Sequence, residues 1–374
     1  MTDIAEFRRQ ARDWLQANKP AHPHPLDGPG ARAAILSWQN TQAEGGWAGI
    51  AWPKAYGGRG ASVLEQIVWC EEYAHAGAPS PLDASFVGLN HAGPTLIACG
   101  TSEQKAFHLP RLLNGEDIWC QGFSEPGAGS DLAAVRTRGR VEGDELVIDG
   151  HKIWSSYADI ADWQELLVRT DPEAKTSGAL TWVICPMNAP GLTVRSIKTM
   201  AGPRKFCEVF YDGVRIPLKN VVGGVNNGWG TAMSTLAFER GTASLPLLLG
   251  LIELVESLLV ACPADRPAMR TRIARLRAEG AAQKAMAYRF ALDSADSVPD
   301  SSGSIVRLGF AEFAQRVSAA ALDLFGIASA EALGEHGLSH HYLDAFSETI
   351  AGGSAEIQRN IIGERVLGLP RGPR

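Results

Sequence analysis

The chain has 374 residues, 45% of them hydrophobic and 20% charged, with a formal net charge of -6. That is enough apolar material for a large core and more than one simple domain. A mildly acidic chain without a basic run lacks the electrostatic footprint of a nucleic-acid binder. Its six cysteines, Cys70, Cys99, Cys120, Cys185, Cys207 and Cys262, form no CxxC pair, and its histidines, His340-His341 included, form no HExxH. The thiols are expected to be reduced and packed, as in a cytoplasmic protein, and no metal site is expected.

Met1 to Pro20 has no basic segment followed by an apolar one, so it does not read as a signal peptide. Thr2 or Asp3 can cap a helix whose Ile4, Phe7, Ala11 and Leu15 share a face, and Pro20 ends it. His22 to Gly30, rich in Pro, Gly and His, reads as a linker. Helical patterns resume at about Ala31 and run to Leu113, broken by the Gly-rich turn Tyr56 to Gly60. From Arg136 to Pro217 short β-rich runs alternate with turns. Val141 and Leu146-Val147-Ile148 flank a hairpin turn, Glu142-Gly143-Asp144-Glu145. Leu166 to Thr170, Leu180 to Cys185, Leu192 to Ile197 and Glu208 to Tyr211 are further strands.

From Trp229 the pattern is helical again, with a polar break at Ser294 to Ser304. The most apolar stretch, Leu245 to Val260, carries Pro246, Glu253 and Glu256. It is shorter than the ~20 residues a membrane span needs and reads as a buried helix. The order of helices, a small β region and helices predicts an α+β fold. It excludes a Rossmann unit, because Pro126-Gly127-Ala128-Gly129-Ser130 lacks the GxGxxG spacing between a strand and a helix.

Three runs carry chemistry. In Gln121-Gly122-Phe123-Ser124-Glu125-Pro126-Gly127-Ala128-Gly129-Ser130-Asp131, glycines let backbone N–H groups approach a ligand and serines supply donors and acceptors. Alone, such a loop is more often a plain turn. In Lys152-Ile153-Trp154-Ser155-Ser156, an indole beside two hydroxyls can stack on a flat ring and bond its edge, although an isolated Trp is more often core. Near the C-terminus, Gly352-Gly353-Ser354-Ala355-Glu356 leads into a helix, where free N–H groups suit a polarised carbonyl or merely form a cap.

In this order and around a β segment, the three runs resemble the acyl-CoA dehydrogenase family. Gly93-Pro94, Gly100 to Lys105, Leu109-Pro110 and Gly228-Trp229 extend the resemblance over about Trp38 to Pro370. It implies an N-terminal helical domain over 1–117, a central small β-barrel or sheet domain over 118–225 and a C-terminal four-helix bundle over 226–374. It implies FAD as cofactor, an acyl-CoA thioester oxidised to the trans-2-enoyl-CoA, and an electron-transfer flavoprotein as acceptor. Gln121, Phe123, Ser124, Gly129, Ser130, Trp154, Ser155, Ser156, Ser354, Ala355 and Glu356 then become FAD contacts. Ser130, Arg240, Gly352 and Gly353 become substrate contacts, the last two polarising the thioester carbonyl.

Two departures from the family pattern matter. Many members carry the catalytic Glu directly before the Gly-[Ser/Thr] pair of the last motif, and here that position is Gly352. A minority place it on the first long helix of the C-terminal bundle, before an Arg, which is Glu239 in Leu236-Ala237-Phe238-Glu239-Arg240. Glu239 is therefore the expected base, and Glu348 is expected to point elsewhere if the final helix begins after Gly353. The Arg-x-x-Phe-Gly stretch that reaches a neighbouring subunit's FAD is replaced by Ala264 to Arg270, and Gln-x-x-Gly-Gly by Asp323 to Ile327. The variant resembles a bacterial subgroup in which some members pair with a diverged second subunit and others act on bulky or ring-bearing, sterol-derived acyl groups. A homo-oligomer (dimer or tetramer) and a hetero-oligomer both stay open, as does a half-site subunit without catalysis.

Overall fold

The structure is a computed structural model and describes residues 3–25, 27–174, 177–239, 242, 245–293, 302–326 and 337–371. Helix α1 (Ile4–Asn18) starts where the Asp3 carboxylate accepts from the Ala5 N–H at 3.0 Å, and it buries Phe7, Ala11 and Leu15 as expected. Helix α2 (Gly28–Glu44) begins inside the presumed linker, because Pro29 suits a first helical turn whose N–H groups have no intrahelical partner. Helix α3 (Val63–His75) opens on a reciprocal Ser62–Glu65 cap, α4 spans Gly93–Cys99, and α5 (Ser102–Leu113) opens on a Thr101–Gln104 cap. The buried Gln104 amide also donates to Lys219 O and Val221 O at 2.8 and 2.9 Å, tying α5 to the end of the sheet.

The central region is one mixed eight-stranded sheet: β1 (Trp119–Gly122), β2 (Arg138–Glu142), β3 (Glu145–Ser156), β4 (Trp163–Arg169), β5 (Leu180–Pro186), β6 (Leu192–Ile197), β7 (Phe206–Pro217) and β8 (Val221–Val222). Its strand order is β6-β7-β3-β2-β4-β5-β8, and β1 pairs with β4 in parallel. The β2–β3 hairpin turns where the sequence places it. Strands β3 and β7 are much longer than their apolar runs, since each continues past the alternating segment on the strength of its partner's ladder. Strand β1 ends on Gln121 and Gly122, the start of a run that reads as a loop; its Trp119 and Cys120 are almost wholly buried, as a strand covered on both sides requires.

The C-terminal part holds α6 (Gly228–Glu239), α7 (Leu245–Ala261), α8 (Pro267–Asp293), α9 (Gly303–Phe325), α10 (Leu338–Glu348) and α11 (Ala355–Ile361). Most of the polar break at 294–304 lies outside the described residues, and α9 begins within its last part. Leu245, Leu248, Leu249, Val255 and Leu258 bury one face of α7 against Ile273 and Leu276 of α8 and Phe313 and Val317 of α9. Each such side chain contributes roughly 1.5 to 3 kcal/mol on burial. Val260, by contrast, is 89% exposed, so α7 is a half-buried helix rather than a fully buried one. Among the described residues no helix is long and apolar enough to cross a membrane.

Candidate active site

Strand β1 runs straight into the loop that starts at Phe123, and two ties fix the loop on β3. The Ile153 N–H donates to Ser124 O at 3.0 Å. The fully buried Lys152 ammonium donates to Phe123 O at 2.9 Å and to Glu125 Oε1 at 2.8 Å. Glu125 also accepts from the N–H groups of Arg136 and Thr137. Burial lowers the Lys152 pKa to about 8 against the opposing pull of Glu125. Burial works to raise that of Glu125, but the Lys152 charge and the hydrogen bonds outweigh it and hold the carboxyl below its ordinary value.

Just beyond Lys152 the β3–β7 register slips, between Lys152 and Ser155. Trp154 sits in this bulge at φ 63° and Tyr157 follows at φ 57°, both left-handed values that L-residues avoid. The bulge turns the Trp154 side chain out of the sheet. It is 57% exposed, with Phe206 edge-on at 6.0 Å, while Ser155 points into the core. Such strain persists only where the surrounding structure overdetermines it, and it concentrates at functional sites.

The exposed indole faces a cavity of about 320 Å³. Gln121, Ser124, Trp154 and Ser156 form its sheet side, Asp83 and His91 its N-terminal side, and Arg307, Glu348 and Gly352 its C-terminal side. Residues far apart in sequence, from all three expected motifs, thus meet in one place. Phe123 is buried in the core, Gly129 and Ser130 lie on the exposed loop, and Ser155 is fully buried. These four lie outside the cavity wall, as do Gly353, Ser354, Ala355 and Glu356.

Gly352 and Gly353 turn at φ 63° and 91° before Ser354 caps α11 by accepting from the Ile357 N–H. The buried Gln358 amide donates to the carbonyls of Gly352 and Gly353 at 2.8 and 3.2 Å. Their N–H groups make no backbone hydrogen bond among the described residues. Glu348 does not point elsewhere: it lines the cavity, because α10 ends there and the chain turns back over it. Its carboxylate is held by Arg307 at 3.0 Å, and Arg307 also donates to Glu348 O and Ala351 O.

Glu239 is the last residue of α6, one turn beyond Thr235, whose hydroxyl meets that of Thr95 at 2.8 Å in the core. The backbone then leads to Thr242, which lines the cavity. The Glu239 side chain and the whole of Arg240 lie outside the described residues.

Three groups carry no motif: Asp83 and His91 on the cavity wall, and Glu165 buried behind it. Asp83 Oδ1 accepts from the Ser85 N–H and hydroxyl at 2.8 and 2.5 Å, yet burial outweighs both bonds and pushes the carboxyl up to about 6. Glu165, fully buried on β4, accepts from Gln121 Nε2 at 2.7 Å and stands 3.2 Å from His91 Nδ1. Only the Asp-x-Ser turn at Asp83 leaves a local signal; Glu165 and His91 are joined by tertiary structure alone.

Three family models match in chain order: the N-terminal domain of acyl-CoA dehydrogenase over residues 2–116, the middle domain over 120–214 and the C-terminal domain over 226–367. The chain is 38% identical to acyl-CoA dehydrogenase IpdE1 of Mycobacterium tuberculosis, with 99% of each chain covered. It is 35% identical to FadE26 of the same organism, covering 99% of this chain and 98% of that one. Among solved structures, the Tcur3481-Tcur3483 steroid ACAD superposes with a TM-score of 0.87 at 30% identity, covering 99% of this chain and 98% of that one. The ChsE4-ChsE5 complex from Mycobacterium tuberculosis superposes with a TM-score of 0.82 at 30% identity, covering 100% and 99%. With its helical, sheet and helical parts matched along nearly its full length, the chain belongs to the acyl-CoA dehydrogenase family of oxidoreductases.

Proposed function

We propose that this enzyme removes the α and β hydrogens of a bulky or ring-bearing acyl-CoA thioester, giving the trans-2-enoyl-CoA, with FAD as cofactor and an electron-transfer flavoprotein as acceptor. The observation that carries this is the single cavity that joins Ser124, Trp154 and Ser156 to Gly352. The wall suits a flavin: an exposed indole offers a flat apolar face on the same wall as Ser124 and Ser156, and open space stands where a Cβ would sit on Gly127 and Gly129. Gln121 and Phe123 support the ring side, while Gly129, Ser130, Ser155, Ser354, Ala355 and Glu356 serve the extended remainder of the cofactor and its surroundings.

Bound FAD supplies the hydride acceptor. The chain supplies the rest. Glu239 takes the α-proton, and the N–H groups at Gly352 and Gly353 hold the thioester oxygen on which negative charge grows as that proton leaves. Ser156 donates a hydrogen bond at the cofactor edge. Ser130 and Arg240 contact the substrate's carrier end. The steroid ACAD among the structural relatives supports a bulky acyl group. The test is purification followed by anaerobic titration with a panel of acyl-CoAs; a yellow protein bleached by one of them is the expected result. A colourless protein that no partner restores would end this reading.

A second reading has its own support. One structural relative is a complex of two different chains, and Ala264 to Arg270 here lacks the stretch that completes a neighbour's FAD site. A half-site subunit would be colourless alone and yellow when co-expressed with a homologous partner.

A further inference from the structure

A trans peptide group is planar, with its C=O and its N–H on opposite edges. Holding one residue's carbonyl therefore orients the N–H of the next. The turn between α10 and α11 uses this twice. The Gly352 carbonyl shares a plane with the Gly353 N–H, and Gln358 Nε2 donates to that carbonyl at 2.8 Å. The Ala351 carbonyl shares a plane with the Gly352 N–H, and it accepts from Arg307 at 2.9 Å.

Arg307 comes from α9 and spans the whole turn. The nitrogen that donates to Ala351 O also donates to Glu348 O at 2.7 Å, and the other lies 3.0 Å from the Glu348 carboxylate. Both side chains of this ion pair are mostly buried. The segments on either side of the turn are tied by other groups. One helical turn before Glu348, Asp344 accepts from Lys205 Nζ at 2.8 and 3.0 Å, which fixes α10 to the start of β7. Beyond the turn, Ser354 caps α11. Between these anchors, Arg307 holds the backbone by its carbonyls, from the last residue of α10 to the residue before Gly352.

The bond to Ala351 O also has an electronic effect. A donor on the carbonyl polarises the peptide group and makes its N–H a stronger donor, and a charged donor does so more than a neutral one. Because Glu348 offsets the guanidinium charge, the cavity gains an oriented dipole rather than a bare cation.

We infer, on the reading that the Gly352 N–H holds the thioester oxygen, that Arg307 is a positioning residue for that hydrogen bond. It orients the Gly352 N–H through the shared peptide plane and strengthens it as a donor, without touching the substrate.

The test is the infrared carbonyl band of 3-cyclohexylpropenoyl-CoA, isotope-labelled at the thioester carbon and bound at saturation to the FAD-loaded protein. Hydrogen bonds on the thioester oxygen lower the stretching frequency, and the band is read on bound probe alone, so a loss of stability by itself does not move it. In wild type the band should lie below its frequency in buffer. In Arg307→Met it should move back toward the buffer value. Adding Glu348→Gln to Arg307→Met removes the carboxylate left without its partner, and the band should stay where the single variant puts it. A band unmoved by Arg307→Met overturns the inference. So does a band restored to its wild-type position by the double variant, since the released charge and not the lost carbonyl bonds would then be the cause. A wild-type band at the buffer frequency ends the functional reading itself, and this inference with it.

Discussion

Lys152 Nζ lies 2.8 Å from Glu125 Oε1, a buried ion pair that joins the strand carrying Trp154 to the loop carrying Ser124. Because the same ammonium bonds Phe123 O, one side chain sets the spacing between the two sheet-side segments of the cavity.

Lys152→Met should therefore be costly. It leaves the Glu125 carboxylate buried with only backbone donors, a loss of about 3 to 5 kcal/mol when one partner of a buried pair is removed. Urea unfolding checks this. Adding Glu125→Gln should recover part of the loss; no difference between wild type and Lys152→Met would show that the pair contributes nothing.

Trp154→Ala should weaken FAD retention about tenfold, because the stacking face is lost while the fold, whose core excludes this exposed ring, keeps its stability. Equilibrium dialysis against FAD, with unfolding measured in parallel, separates the two. Ser156→Ala should keep FAD and slow anaerobic flavin reduction by an amount equivalent to about 1 to 3 kcal/mol.

Glu239→Gln should bind FAD and acyl-CoA but reduce at least ~100-fold more slowly. Glu348→Gln is the matched control. Its carboxylate already faces the cavity but is engaged by Arg307, so its loss should leave the reduction rate near normal. If the two variants exchange these behaviours, Glu348 is the base.

His108 makes acid stability testable. Burial among Phe107, Trp119 and Trp163 lowers its pKa from 6.5 to about 4. The folded state thus disfavours the imidazolium that the unfolded chain accepts. Its contribution is complete above about pH 6.5 and is lost as pH falls toward 4, amounting to about 3 kcal/mol. His108→Phe should flatten that part of the stability profile, measured by denaturant unfolding at pH 7, 6 and 5. An unchanged slope would place the acid sensitivity elsewhere.

Much of the framework is legible in the sequence because it rests on local rules: the Asp3 cap, the β2–β3 hairpin and the Ile4-to-Leu15 face are fixed within a few residues. The three motifs are legible too, and the cavity draws members from each. What stays hidden needs the third dimension. Strand β1 lacks a visible alternation because both its faces are covered, and His91 meets Glu165 across 74 residues. Glu348 misleads because its direction depends on where α10 stops and on Arg307, a residue 41 positions away.

Gly352 turns at φ 63°, where a residue with a Cβ costs about 1 to 2 kcal/mol. A carboxylate side chain at this position therefore starts from an unfavourable backbone conformation. A glutamate at 352 would strain a turn that Gln358 already clamps by both glycine carbonyls, and it would add a carboxylate to a cavity that Asp83 and Glu348 already line.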